Sequence, residues 1–264
     1  MKANRIYLAD VFDFLSKLED DSVDLVIADP PYNMHKADWD TFKSESEYFD
    51  FTFKWIDMLL PKCKSSASIY LFNNAYNSAI ILNYLRKREV VFRNWITWYK
   101  KDGFSATRKK YVNAQETILF YTKSNEYIFN SDLVRVPYES VERMAHAAKK
   151  GILKDGKRWF PNEKGKLCND VWEITSQRHK TKLNGKIQNP PHPTIKPDEM
   201  IVRMILASSN ENDLVLDLFS GSGTTSRVAK QLGRQFIGCE INKLYSQINK
   251  GDIQYDRLSD FKKY

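Results

Sequence analysis

The chain has 264 residues, of which 42% are hydrophobic and 28% charged, with a formal net charge of +8. That composition describes one large globular domain, or one domain with an inserted segment, and excludes a disordered or low-complexity chain. No apolar run of about 18 residues is present, so no membrane-spanning helix is expected.

In chain order, short apolar runs predict buried strands at Arg5–Leu8, Leu25–Ala28, Ile69–Phe72, Trp95–Trp98, Thr117–Tyr121, Leu214–Leu218 and Phe236–Cys239. Most are β-branched or aromatic and too short to be helices. Helical spacing of apolar residues appears between many of them: "EYFDFTFKWIDMLL" before Pro61, "SAIILNYLRKR", and "DEMIVRMILASS" just after Pro197 with acids in its first turn. "TTSRVAKQLG" is a fourth, stopping at Gly233, a C-cap residue. Alternating strands and helices imply an α/β domain with a mostly parallel sheet. The exception is the pair Trp95–Trp98 and Thr117–Tyr121, whose basic connection has no helical pattern and predicts a β-hairpin. Residues 135–190 break the rhythm, with turn signals at Asp155-Gly156 and Lys164-Gly165, and read as an insert between an α/β part at 1–134 and another at 191–264.

The charge is concentrated. Residues 135–190 hold thirteen Lys/Arg against six Asp/Glu, and residues 99–113 hold five against one. The remainder is therefore net acidic. Phe104, Tyr111, Tyr138, Trp159, Phe160 and Trp172 lie among these basic residues. Such mixtures suit phosphate contact and base stacking, whereas two merely solvated loops would need no aromatics. The first residues, Met1–Phe12, lack the apolar core and small-residue cleavage site of a secretory leader. Cys63, Cys168 and Cys239 are odd in number and far apart, which predicts a reducing, cytoplasmic setting without a disulfide framework. His35, His146, His179 and His192 have no zinc-like spacing, and no metal is expected.

Two motifs carry chemistry. In "DLVIADPPYNM" an apolar strand ends on Asp29-Pro30-Pro31-Tyr32. At the carboxyl end of a parallel strand such a carboxylate faces the crevice where these sheets bind ligands. The prolines hold the backbone rigid and leave carbonyl acceptors. A carboxylate, a rigid carbonyl and an aromatic face match an exocyclic amino group on a planar base; a polar turn is the simpler alternative. In "LVLDLFSGSGTTSRVAKQLG" a strand leads through Gly221 and Gly223 into a helix. The loop lacks the Gly-Lys-Ser/Thr of an NTPase. The next strand ends in Glu240, where a Rossmann-like fold holds ribose hydroxyls.

On these residues the chain resembles the S-adenosylmethionine-dependent DNA amino-methyltransferases. "DPPY" is similar to that family's catalytic motif, "FSGSGTT" to its cofactor loop, and "HPTIKP" (192–197) to the element before that loop. The order of catalytic motif, basic insert and cofactor loop resembles the circularly permuted beta class. Leu218 stands where the family usually has proline, and Ile195 where it often has glutamine. The resemblance covers nearly the whole chain and implies a Rossmann-like methyltransferase fold with a target-recognition insert. It further implies S-adenosyl-L-methionine as cofactor, held by Asp10, Lys196, Asp217, Phe219, Gly221, Ser222, Gly223, Thr224 and Glu240. Asp10 would contact the cofactor's adenine; a helix N-cap is the competing reading of that residue.

The implied reaction is methylation of adenine N6 in double-stranded DNA by a bacterial restriction-modification enzyme, with a cognate endonuclease as functional partner. Asp29 and the Pro30 carbonyl would accept from the amine, and Tyr32 would stack on a base turned out of the duplex. Lys100, Lys101, Arg108, Lys109, Lys110, Lys149 and Lys150 are expected on DNA phosphate, and Arg143 and Arg178 on base edges. An N4-cytosine enzyme would use the same amine chemistry, although Asp in the first motif position favours adenine. A non-catalytic DNA-binding subunit keeping the fold is the alternative from another class. The family includes monomers and dimers, so a homodimer stays open.

Overall fold

The computed structural model describes residues 1–100, 108–176, 195–243 and Tyr245 with their side chains, and the backbone of strands 181–183, 186–188 and 254–257. The elements in order are β1 (Arg5–Leu8), α1 (Val11–Lys17), β2 (Val23–Ala28), α2 (Glu45–Leu59), β3 (Cys63–Asn73), α3 (Ala75–Leu85), β4 (Val91–Tyr99) and β5 (Gln115–Thr122). There follow α4 (Val141–Lys150), β6 (Ile152–Lys154), β7 (Lys157–Trp159), β8 (Val171–Glu173), β9 (Thr181–Leu183) and β10 (Lys186–Gln188). The chain then runs through α5 (Asp198–Ser208), β11 (Leu214–Asp217), α6 (Thr224–Gln231), β12 (Gln235–Glu240) and β13 (Gln254–Arg257).

Nine strands form one mixed sheet in the order β13-β1-β12-β11-β2-β3-β5-β4-β8. Strands β1, β12, β11, β2 and β3 are mutually parallel. β5 turns the direction, pairing antiparallel with both β3 and β4, so the expected hairpin is present. Alternate residues of the central strands enter opposite cores. Val26, Ala28, Ile69, Leu71, Leu216 and Ile237 join one cluster, which includes Phe14 and Leu15 of α1 and Trp55 of α2. Leu25, Ile27, Tyr70, Phe72, Val215 and Phe236 join the other, with Met200 and Met204 of α5 and Val228 of α6. Burial on both faces is why these strands read as continuous apolar runs rather than as alternating ones.

Local chemistry sets the helix ends. Asn74 caps α3 through Asn77 N–H (2.8 Å), and Ser44 caps α2 through Glu47 N–H (3.1 Å). Gly233, at φ +75°, follows the end of α6. In the basic segment, Asp155 and Gly156 both have positive φ (+51° and +73°) and close the β6–β7 hairpin, the backbone a two-residue primed turn demands. β8, although within 135–190, pairs parallel with β4 and extends the main sheet. The helix α4 was not singled out from sequence, although Glu142 in its first turn and Lys149 and Lys150 in its last follow the order that the helix dipole favours.

Candidate active site

Four acidic residues follow four adjacent strands at the same edge of the sheet. Asp10 comes just after β1, Asp29 directly after β2, Asp217 closes β11 and Glu240 closes β12. Parallel strands bring their carboxyl ends together, and the crevice outside those ends is where open α/β sheets bind ligands. A cleft of about 1020 Å³, counted to its open mouth, is lined there by Asp10, Asp29, Pro30, Tyr32, Phe219, Gly221 and Glu240. Lys196 and Glu116 line it as well.

On the glycine-loop side, Gly221 (φ +49°) and Gly223 (φ +74°) adopt the left-handed backbone that leads into α6. Glu240 is buried, its Oε2 accepting from Gly221 N–H and its Oε1 from Asn242 N–H, both at 2.7 Å. Burial outweighs these bonds and pushes the Glu240 carboxyl above its usual range. Ile241 N–H is a third backbone donor to this carboxyl, which leaves about one of its four or so acceptor sites for a ligand hydroxyl. Asp217 accepts from Phe219 N–H (3.1 Å), and burial pushes its carboxyl up to about 7. Ser222 is half-buried and bonds with Thr224 through their hydroxyls at 3.1 Å. Gly238, in β12, was not singled out from sequence; a Cβ there would lie 2.5 Å from the Asp217 carbonyl and from Ser220 Oγ. The loop packs that closely on its neighbouring strand. Asp10 lines the cleft and also caps α1, accepting from Phe12 N–H at 2.8 Å, so the N-cap reading holds.

On the motif side, Asp29 is gripped twice. Tyr32 OH donates to Oδ1 at 2.7 Å, and Lys196 Nζ donates to Oδ2 at 2.6 Å. Lys196, expected on the cofactor, therefore pairs with the motif carboxylate. Glu116 Oε2 lies 3.4 Å from Lys196 Nζ and accepts from Tyr32 OH at 3.3 Å, while Glu116 Oε1 accepts from Lys100. Burial alone would lower the Lys196 ammonium, but Asp29 and Glu116 outweigh it and hold it above its usual value. Burial alone would likewise raise Glu116; Lys196, Lys100 and Lys36 instead hold it down at about 2. Burial and the two carboxylates raise the Tyr32 phenol well above its usual value, so it stays a donor.

The Tyr32 backbone is clamped. Its N–H donates to Asp40 Oδ1 (2.6 Å), and its carbonyl accepts from Asn77 Nδ2 (2.9 Å). Asp40 Oδ2 also accepts from Met34 and Lys36 N–H, at 3.1 and 3.2 Å. Sequence reasoning missed Asp40, Asn77 and Glu116. The available signal for Glu116 was a carboxylate opening an apolar strand opposite a lysine-ended one.

Of the expected DNA-binding residues, Lys100 is half-buried against Glu116, while Arg108, Lys109, Lys110, Arg143, Lys149 and Lys150 are exposed. Lys101 and Arg178 lie outside the described residues. Trp159 and Phe160, each 60% exposed, stand among the basic side chains of the second segment. Among the described residues no helix is long and apolar enough to cross a membrane.

Comparison with known proteins agrees with the geometry. The family described as DNA methylase, covering N6 and N4 enzymes, matches residues 23–251. The type II methyltransferase M1.MboII of Moraxella bovis is 51% identical over 258 residues, 98% of each chain. The DNA adenine methyltransferase YhdJ of Escherichia coli is 34% identical, covering 92% of this chain and 80% of its own. Among solved structures, the M1.HpyAVI–SAM complex aligns with a TM-score of 0.63 at 25% identity, over 93% of this chain and 97% of its own. The cytosine-N4-specific PvuII methyltransferase shares the fold, with a TM-score of 0.68 at 16% identity over 93% and 84% of the two chains. With its motif strand and glycine loop opening into one cleft, this chain belongs to the N6/N4 DNA methylase family and is a DNA methyltransferase of the type II, MboII-like kind.

Proposed function

We propose that the chain methylates adenine N6 at a specific site in double-stranded DNA, using S-adenosyl-L-methionine. The observation that carries this reading is that the Asp29 carboxylate and the Glu240–glycine loop line the same cleft. Residues on the loop side fit the cofactor: a buried Glu240, oriented by three backbone N–H groups, offers an acceptor for a ribose hydroxyl, and Phe219 offers an aromatic wall. Asp10 and Gly221 line the same side, whereas Asp217, Ser222, Gly223 and Thr224 do not line the cleft and would act by shaping the loop. When bound, the cofactor supplies a methyl group on a positively charged sulfur, so the amino nitrogen gains a bond to carbon, sulfur keeps the electron pair of the broken bond, and one amino proton is released.

The chain's own residues have to make a poor nucleophile competent. The lone pair of an aromatic amine is delocalised into the ring. Accepting its N–H groups at Asp29 and the Pro30 carbonyl favours a tetrahedral nitrogen and stabilises the positive charge that develops there. Asp29 retains acceptor capacity beyond its bonds to Tyr32 and Lys196, because an ionised carboxylate has about four lone-pair sites. Duplex pairing and stacking hide the amine, so the base must leave the helix; the Tyr32 ring beside Asp29 supports a stacking surface for it.

The motif order, with "DPPY" before the basic segment and the glycine loop after it, supports the permuted beta-class arrangement. The exposed basic and aromatic residues of 135–176 support a target-recognition role for the 135–190 segment. The type II relatives support a bacterial cytoplasmic enzyme whose functional partner is an endonuclease acting on the same site. The fold does not separate adenine from cytosine, since the PvuII enzyme shares it; Asp29 in the first motif position favours adenine. Nucleoside analysis of DNA from a host expressing the chain should find N6-methyladenine. Finding N4-methylcytosine instead would overturn the base assignment, and sequencing of the methylated DNA would identify the site and strand.

A further inference from the structure

We propose that Glu116 is a positioning residue for methyl transfer: it shares Lys196 and Tyr32 with Asp29, and so sets how strongly those two groups hold the carboxylate that receives the target amine. The inference rests on the reading of Asp29 above. Both groups that grip Asp29 also reach Glu116, Lys196 at 3.4 Å and Tyr32 OH at 3.3 Å. The set is largely buried, with side-chain exposures of 8% for Lys196, 12% for Glu116 and 23% for Asp29. The walls are aromatic: Lys196 Nζ lies 5.5, 5.2 and 6.0 Å from the ring centroids of Tyr32, Phe72 and Trp98.

In such surroundings a lysine cannot be neutralised by solvent. Without Glu116, its whole field would fall on Asp29, drawing off the electron density that the amine's N–H groups need. Glu116 divides that field. Lys100, over the Trp98 ring at 4.5 Å, balances the second oxygen of Glu116, so two cations and two carboxylates form a neutral set. A purely structural Glu116 would compensate the buried lysine and do no more. The two roles differ in what they do to the pH dependence of methyl transfer. The charged or titratable groups around Asp29 are Tyr32 on its own segment, Lys36 in the following loop, Lys100 after β4, Glu116 on β5, Lys196 before α5 and Asp217 on β11.

The test is the pH dependence of single-turnover methylation on a duplex carrying the target site, with cofactor affinity measured by calorimetry. Glu116→Gln should slow the step on the order of 10- to 100-fold and leave S-adenosylmethionine affinity unchanged. It should also move the acid limb of the rate profile to lower pH, because one negative charge is removed from beside the acceptors of the target amine. Lys100→Met, at a partly exposed strand end, should move the same limb to higher pH. A wild-type rate with an unmoved limb in Glu116→Gln overturns the inference, as does a shift of both variants in the same direction. Should Glu116→Gln lack a cooperative thermal transition, Lys100→Met decides alone: an upward limb supports the role and an unmoved one overturns it. Asp29→Ala distinguishes the two levels, since full activity there would sink the reading of Asp29 itself.

Discussion

Asp40 accepts the backbone N–H of Tyr32 at 2.6 Å, so a carboxylate eight residues downstream holds the last residue of the Asp-Pro-Pro-Tyr turn in place. The same side chain accepts from Met34 and Lys36, and the loop it organises passes through positive φ at Asn33 (+57°) and His35 (+56°). Asp40→Ala removes acceptors from three backbone donors around a buried centre. Each hydrogen bond to a charged group contributes about 1.5–3 kcal/mol, and water replaces part of that loss. The variant should melt at a lower temperature and methylate slowly. Thermal unfolding followed by circular dichroism, beside a labelled-methyl assay, measures both; a wild-type melt with wild-type activity would falsify the clamp.

Glu240→Ala should weaken cofactor binding by about 1.5–3 kcal/mol through loss of charged hydrogen bonds. The same change strips the acceptors from Gly221 and Asn242 N–H, so the glycine loop should loosen as well. Glu240→Gln keeps one acceptor oxygen and should fall between the two. Calorimetry with S-adenosylmethionine is the readout, and unchanged affinity in Glu240→Ala would move the ribose contact to another residue.

Asp217 makes stability depend on pH in an unusual direction for a carboxyl. Burial raises it from 3.8 to about 7 in the folded chain, so the folded state holds this proton more tightly than the unfolded state. Its contribution is fully present below about pH 4 and is lost as pH rises toward 7. Asp217→Asn keeps the shape without the charge. Its stability relative to the parent should therefore rise between pH 4 and 8, seen as a growing difference in denaturant midpoint. A constant difference across that range would show that Asp217 is not protonated in the folded protein.

Lys149 and Lys150 occupy the last turn of α4, fully outside the core. Pairing of lysine with phosphate carries no sequence information. Replacing either by alanine should weaken target and non-target DNA alike, and reduce the salt slope by about one unit for each phosphate that is no longer neutralised. Arg143→Ala, if that side chain reads a base edge, should instead cost about 1–3 kcal/mol at one base pair only. Fluorescence anisotropy over a salt series with cognate and altered duplexes separates the two behaviours. Equal salt slopes in parent and lysine variants would remove these residues from the phosphate surface.

The strand–helix alternation, the two chemical motifs and the concentration of charge are properties of neighbouring residues, and each was legible in the chain. Apolar runs such as Leu25–Ala28 announce strands buried on both faces, and a glycine loop between strand and helix announces a ligand turn. The tertiary structure decided which distant residues share the cleft. Glu116 reaches the motif because β5 runs antiparallel to β3, which brings the first residues of β5 to the edge where β2 and β3 end. Had β5 run parallel, its opening residues would lie at the far edge. Lys196 likewise meets Asp29 across 167 positions of chain; the resemblance of "HPTIKP" implied a place at the cofactor, and only the fold pairs it with the motif carboxylate. Strand direction and order are set by how whole elements bury their faces against one another, and a short run of residues carries no record of that choice.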